Sequence, residues 1–304
     1  MLKYILKRIG LLILTLFIIV SLTFFMMQLM PGTPFSNPKL SPEQLAVLES
    51  TYGLDKPLWE QYFIYLKNIF SGNFGESFIY KNQPVLTMIA QRLPVSAQFG
   101  LQALLLGTII GIPLGIISAL NKNTWIDSLI GFLTVLGISV PSFVIGTLLL
   151  LFFGFTLEWL PIAGWTGFSS SIMPTLALSF SSMATFTRFI RSEMIESMGM
   201  DYILLARAKG LSDGEVVRKH ALRNSLMPLL TLMGPAFAGS IVGSVLLEKI
   251  FNIPGIGSQF VDSIPAKDFP VIMATTILYA TLLMTFILIM DIVIALVDPR
   301  VRLS

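Results

Sequence analysis

Long uncharged stretches alternate with shorter polar segments along this chain, and their lengths predict the fold class. A helix crossing about 30 Å of hydrocarbon needs roughly 20 predominantly apolar residues. Six stretches stand out: Ile9 to Met30, about Gln98 to Leu120, about Leu129 to Leu157, Ile172 to Thr187, about Leu226 to Leu247 and about Pro270 to Val297. The fourth is short and rich in Ser and Thr, and the sixth is interrupted only by Asp291. The first follows Lys3, Lys7 and Arg8, as the apolar core of a signal peptide would. Such a core runs for only about 7–15 residues and ends at a small-residue cleavage site. This run is longer and ends Leu29-Met30-Pro31, so it is read as a retained transmembrane helix. The pattern predicts an all-α membrane protein with six transmembrane helices.

Composition supports that prediction. Of 304 residues, 54% are hydrophobic and 12% charged, against about 45–50% and 25% in soluble domains. The net charge of +3 is too small for a nucleic-acid reader, whose basic residues cluster on one face. Placement of the positive charges says more than their sum. With six spans and the N-terminus inside, segments 1–8, 121–128, 188–225 and 298–304 hold 13 of the 20 Lys and Arg residues. Most of the others lie in the long first loop, where the bias counts least. Both termini are therefore expected in the cytoplasm, in a multi-pass protein of the cell membrane. There is no Cys and a single His, His220, which excludes disulfides, a Cys nucleophile and a His-rich metal cluster.

The chain divides into a cytoplasmic N-terminus with the first helix (1–30), an external region (31–97), and a core (98–304) that includes the cytoplasmic loop 188–225. The external region is predicted to fold. Ser41-Pro42-Glu43-Gln44 reads as an N-cap with Pro at the first helical position, and Gly53 ends that helix. Leu58, Trp59, Tyr62, Phe63, Leu66, Ile69 and Phe70 then fall at helical spacing, an apolar stripe that lies either on the membrane surface or on the other spans. Gly72, Gly75, Pro84 and Pro94 punctuate the remainder.

Loop 188–225 carries the clearest local design. Arg188 to Met198 continues the fourth helix, with Ile190, Met194, Ile195 and Met198 on one face. Asp201 is placed to cap a short helix, Tyr202 to Lys209, which Gly210 breaks, and Ser212-Asp213-Gly214-Glu215 forms a capping box for the next helix. Two short helices thus meet at a glycine elbow on the basic side of the membrane. The pattern fits a shaped docking surface, or simply a solvated charged loop.

Other residues are candidates for a pathway or gate. Ser139, Pro141 and Ser142 break the third span, either as a plain proline kink or as a broken helix lining a pathway. Ser179, Ser181, Ser182 and Thr185 make the fourth span polar, for tight helix packing or for pathway lining. Asp291 is the one carboxylate well inside a span; it belongs either to the pathway or to a pair with an Arg or a helix end near the cytoplasmic interface. Pro254-Gly255-Ile256-Gly257, in the last external loop, reads as a tight turn, or as an external gate or binding-protein contact.

The elbow also carries a family resemblance. The run Asp201-Tyr202-Ile203-Leu204-Leu205-Ala206-Arg207-Ala208-Lys209-Gly210-Leu211-Ser212, followed by His220-Ala221-Leu222-Arg223-Asn224, resembles the cytoplasmic loop of ABC-importer permeases of the oligopeptide/dipeptide/nickel branch. The general importer pattern is Glu-Ala-Ala, three residues, Gly, nine residues, Ile-x-Leu-Pro. Ala206, Gly210 and Leu222 match it, while Leu204, Leu205, His220 and Arg223 depart from it as the peptide branch does. Leu29-Met30-Pro31-Gly32-Thr33-Pro34, Tyr52-Gly53-Leu54-Asp55-Lys56-Pro57-Leu58, Gly72-Asn73-Phe74-Gly75-Glu76-Ser77, Gly243-Ser244-Val245 with Glu248, Phe251 and Pro254-Gly255-Ile256-Gly257, and Asp291 with Asp298-Pro299-Arg300 resemble further stretches of the family in the same order. The long external region resembles that of the first of the two permease subunits.

The resemblance implies a type I ABC-importer permease fold. It implies a second, homologous permease, two ATP-binding subunits that hold ATP and Mg, and an extracytoplasmic substrate-binding protein. This chain would bind no cofactor and carry no catalytic residue. Leu205, Ala206, Arg207, Ala208, Lys209, Gly210, Leu211, Ser212 and Glu215 would form the coupling surface for an ATPase subunit. Peptides are the implied cargo, with nickel or other metal chelates and oligosaccharides as alternatives.

Other classes fit less well. An intramembrane Ser–His protease needs a His at membrane depth, and His220 lies in the loop. A self-contained ATP-driven pump needs a GxxxxGK[ST] phosphate loop, which this chain lacks. An ion or solute channel fits the composition but leaves the capped elbow unexplained.

Overall fold

A computed structural model describes residues 2–30, 35, 41–80, 82–242 and 245–297. The resembling stretches at 31–34, 243–244 and 298–300 lie outside the described residues. The described residues form helices and loops, with one isolated β-bridge between Glu76 and Pro84. In chain order the helices are α1 (Leu2–Gln28), α2 (Pro42–Thr51), α3 (Leu58–Phe70), α4 (Val85–Leu120), α5 (Trp125–Ser139) and α6 (Ser142–Leu149), the last continued by a π-helical segment, Leu150–Thr156. Then follow α7 (Phe168–Met198), α8 (Asp201–Ala208), α9 (Asp213–Val216), a π-helical Val217–Ala221, α10 (Leu222–Val242), α11 (Val245–Ile250), α12 (Ile256–Ser263) and α13 (Phe269–Val297).

The spine of the molecule is the pair α4 and α7. Small residues on α4 let the two backbones approach closely, as in membrane helix packing. A Cβ added at Gly111 would lie 2.7 Å from the Met183 carbonyl oxygen, and one at Gly115 2.7 Å from that of Thr187. The Thr187 hydroxyl bridges the gap to the Gly111 carbonyl at 3.1 Å. Hydroxyls of Ser179, Ser182 and Thr185 bond to carbonyls of their own helix, which makes a Ser/Thr-rich helix tolerable in an apolar setting. Helices α5, α6 and α10 pack around this pair, and α13 packs on α10. Helix α1 is peripheral: it lies on α13 and exposes Leu11, Ile13, Leu14, Phe17, Leu22 and Met26, the surface expected of a helix facing lipid.

Several boundaries differ from the sequence expectation. The second span does not start near Gln98, because α4 runs back to Val85 and carries both Pro94 and Pro113 inside it. The expected limit of the external region, residue 97, therefore falls within a helix. Among the described residues four helices are long and apolar enough to cross a membrane, and the bent pair α5–α6 makes up to five. The third stretch is not one straight span: α5 and α6 meet at 101°. Pro141 is the N-cap of α6, with φ −57° and ψ 137°, a conformation that interrupts a helix and starts the next. Helix α7 is about 46 Å long at 1.5 Å per residue; it starts four residues before Ile172 and runs on to Met198, the continuation expected from the sequence, but it is not apolar enough to count with the others.

Outside the bundle, α3 rests on α1. The Tyr62 hydroxyl lies 2.6 Å from that of Ser21, Gln28 donates to Gln61 at 3.0 Å, and Tyr62 and Tyr65 pack on Phe24. The stripe is thus divided. Tyr62 and Tyr65 face the spans, while Leu58, Trp59, Phe63 and Phe70 stay exposed. Asp268, buried just before α13, accepts the Ser77 hydroxyl and the Phe78 N–H at 3.0 Å, tying the chain before α4 to the start of α13.

Candidate functional site

Helix α8 is a short helix with one face pinned and the other offered outward. Ile203 and Ala206 are buried, packed with Met194 and Ile190 of α7, Val216 of α9, Ala221, and Leu229 of α10. The Ser197 hydroxyl lies 2.6 Å from that of Tyr202, which clamps the start of α8 to the end of α7. Asp201 is the first helical residue and not the cap; the N-cap is Met200, and no side chain caps it. Placed there, Asp201 still favours the positive helix end. Gly210 turns the chain at φ +81°, its N–H bonded to the Arg207 carbonyl at 2.9 Å. The capping box appears as expected at α9: the Glu215 carboxylate accepts the Ser212 N–H at 3.4 Å and its hydroxyl at 3.2 Å. Lys219, 2.9 Å away, and these Ser212 donors hold the Glu215 carboxyl below the usual carboxylate range.

Of the residues expected to couple, Leu205, Arg207, Ala208, Lys209, Gly210 and Ser212 are exposed, Leu211 and Glu215 half-buried, and Ala206 buried as an anchor. Arg207 is engaged within the chain by Asp213 at 3.2 Å across the elbow. The most exposed apolar side chain on the outer face is Leu204, 69% exposed beside Leu205 at 57%. It lies just before the residues expected to form the coupling surface. Two exposed leucines next to Lys209, on a helix fixed from behind, make an apolar patch with a basic rim.

A second feature runs along α7. Between positions 170 and 195 its exposed residues are Ser181, Thr185, Arg188 and Ser192, at spacings of three or four that keep them on one face. A polar stripe of this kind is costly against lipid, so it belongs against water or protein. Ser182 is half-buried and bonds back to Ser179, which is buried. Beside the stripe, α5 and α7 enclose a groove of about 440 Å³ that Ser139 also lines. Its floor is an ion pair absent from the sequence expectation. Arg191 donates to both oxygens of Asp127, at 2.7 and 2.8 Å, and Asp127 also accepts the Ser118 hydroxyl at 2.5 Å. Asp127 stood next to the start of an expected span, and only the fold brings it to Arg191, 64 residues later. Pro141 is exposed and Ser142 half-buried at the α5–α6 bend.

At the opposite end, Pro254 is exposed, but Gly255, Ile256 and Gly257 are buried. They wrap a carboxylate. Glu248 of α11 is 0% exposed and accepts the Ser96 hydroxyl at 2.7 Å and the Ser258 N–H at 2.8 Å, and Ser96 in turn accepts the Ile256 N–H at 2.9 Å. A Cβ at Gly255 would collide with that carboxylate, which explains the glycine. Asp291 lies 3.2 Å from Arg8, so its carboxylate joins α13 to α1, the pairing with an Arg that was one of its two expected roles.

Comparison with known proteins bears on this arrangement. Residues 111–303 match the family model of the binding-protein-dependent transport system inner membrane component, and residues 1–100 match its N-terminal membrane component model. The chain belongs to this family. Among curated relatives, it is 72% identical over 303 residues to the dipeptide transport system permease protein DppB of Lactococcus lactis subsp. cremoris, covering all of both chains. It is 44% identical to the oligopeptide transport system permease protein OppB of Salmonella typhimurium, covering 99% of this chain and 100% of the relative. It is 41% identical to DppB of Bacillus subtilis, covering 100% and 99%. Among solved structures, the MetNI methionine ABC transporter in an inward-facing form aligns with a TM-score of 0.59 at 14% identity, over 70% of this chain and 97% of that one. An amino acid ABC transporter aligns at 0.53 and 16% identity, over 71% and 94%. These two share the fold.

As a member of this family the chain is a transport component of the membrane and not itself an enzyme. Among the described residues no group of three or more His, Asp or Glu side chains is placed to hold a metal. Of the residues that carried the resemblance, Leu204, Leu205, Arg207, Ala208, Lys209 and Gly210 are exposed on or just after α8, while Ile203, Ala206 and Ala221 are buried behind it.

Proposed function

We propose that this chain is the first permease subunit of an ATP-driven importer for dipeptides or short oligopeptides. It forms one wall of a translocation pathway whose other wall is a second, homologous permease. Two ATP-binding subunits supply ATP and Mg, and an external binding protein delivers cargo. Both termini and α8 face the cytoplasm. The observation that carries the reading is α8 itself: Leu204, Leu205 and Lys209 project from a helix whose buried face, Ile203 and Ala206, is packed into α7 and α10. A displacement imposed on that patch by an ATPase subunit passes to α7 as a rigid body. Helix α7 carries the polar stripe Ser181, Thr185, Arg188 and Ser192, a face suited to a watered pathway. The 72% identity to a dipeptide permease supports peptide cargo over metal chelates and oligosaccharides.

The test is uptake by the assembled importer in liposomes. ATP-dependent accumulation of a labelled dipeptide that requires both the binding protein and this chain is the expected result. A flux that ignores ATP and the binding protein would make the chain a channel.

A further inference from the structure

The α5–α7 groove holds a positive charge that no described residue neutralises. Three charged residues line it: Asp127, Arg188 and Arg191. Asp127 and Arg191 cancel through their two-point ion pair. Arg188 is exposed, lies on the polar stripe of α7, and makes no hydrogen bond or ion pair with any described residue. The remaining lining is hydroxyl and small apolar side chains, Ser139 among them. At about 440 Å³ the groove has room for a dipeptide-sized group and is far larger than a water site needs.

An unpaired guanidinium in a groove lined by hydroxyls is a fork of donors suited to a carboxylate. We propose that Arg188 binds the C-terminal carboxylate of a peptide on its way through the cytoplasmic half of the pathway. The inference rests on the peptide reading above. It gives the permease its own contact with the feature every unmodified peptide shares, whatever its side chains. The Asp127–Arg191 pair acts as a spacer: by cancelling the neighbouring guanidinium it leaves one positive charge, enough to attract a carboxylate without trapping it. Passage needs such weak binding.

The experiment compares a labelled dipeptide with its C-terminal amide, both taken up by the complete importer in liposomes, in wild type, Arg188→Gln and Arg188→Lys. Uptake is read at subsaturating peptide and normalised to binding-protein affinity for each. The proposal expects Arg188→Gln to lower free-acid uptake about tenfold, the scale of one charged hydrogen bond lost, and to leave amide uptake within about twofold. Arg188→Lys should recover most of the free-acid rate. Equal loss for both peptides, or no loss for either, overturns the proposal while leaving the peptide reading intact. So does a loss that follows the anionic lipid content of the liposomes, which would make the ligand a lipid phosphate, or a loss of the second permease from the complex. A wild-type importer that moves neither peptide overturns both readings.

Discussion

At Gly210 the chain turns at φ +81° between α8 and α9, and a Cβ built there meets nothing within 4 Å. A side chain at this point is therefore resisted by the backbone alone, at about 1–2 kcal/mol, and not by collision. Gly210→Val is expected to leave the protein in the membrane with its partners but to misdirect the elbow. ATP hydrolysis by the complex should persist while peptide uptake falls severalfold, and uptake at the wild-type rate would refute the elbow's role. Glu215, three residues into the next turn, has a lowered pKa, so its cap is complete above its ordinary value of 4.5 and is lost as pH falls through the depressed value. Hydrogen exchange across Ser212 to Val216, corrected for intrinsic rates, should be steady from neutral pH down to about 4.5 and accelerate only below it. The Ser212–Glu215 box and the glycine were legible in the sequence because each acts over three or four residues, whereas the expected Asp201 cap falls one residue inside α8. Glu248 was legible only as part of a resembling stretch, because its partner Ser96 lies 152 residues away on α4 and Ser258 reaches it only through the turn into α12.

Among elements, α4 and α7 hold the rest in place, and their contact rests on absent side chains. Gly111→Leu would push against the Met183 backbone, whose atoms have nowhere to go, and should abolish accumulation of folded protein. Gly239→Ala, on α10 with open space around it, should be neutral or slightly stabilising, since alanine is the better helix former by up to about 1 kcal/mol. Thermal unfolding in detergent distinguishes the two. Hydropathy showed where α1, α4, α10 and α13 lie because lipid demands uninterrupted apolar length. It marked only the middle of α7, and the continuation to Met198 was read from the apolar face Ile190, Met194, Ile195 and Met198 instead. It ran α5 and α6 together as one stretch, and the break between them was legible from Pro141 and its flanking serines instead. Pro94 read as punctuation, yet α4 absorbs it.

For the molecule as a whole, orientation followed from charge placement, and it is testable because the chain contains no native Cys. A lone Cys in place of exposed Trp159, between α6 and α7, should react with a membrane-impermeant thiol reagent added outside intact cells. A lone Cys at Lys209 should react only after the membrane is opened, and the reverse pattern would invert the topology. The proposed coupling segment was readable as a short helix, a glycine elbow and a capping box because each of these is local in sequence. The polar groove was not, because Asp127, Ser139, Arg188 and Arg191 meet only when α5 folds against α7. The central claim is that α8 is where this permease receives the work of ATP. The most direct measurement is cross-linking from a single Cys at Leu205, 57% exposed on the outer face of α8, in the assembled importer. The account predicts one adduct, with an ATP-binding subunit, whose formation stops peptide uptake. Absence of that adduct in a complex that still transports would contradict it.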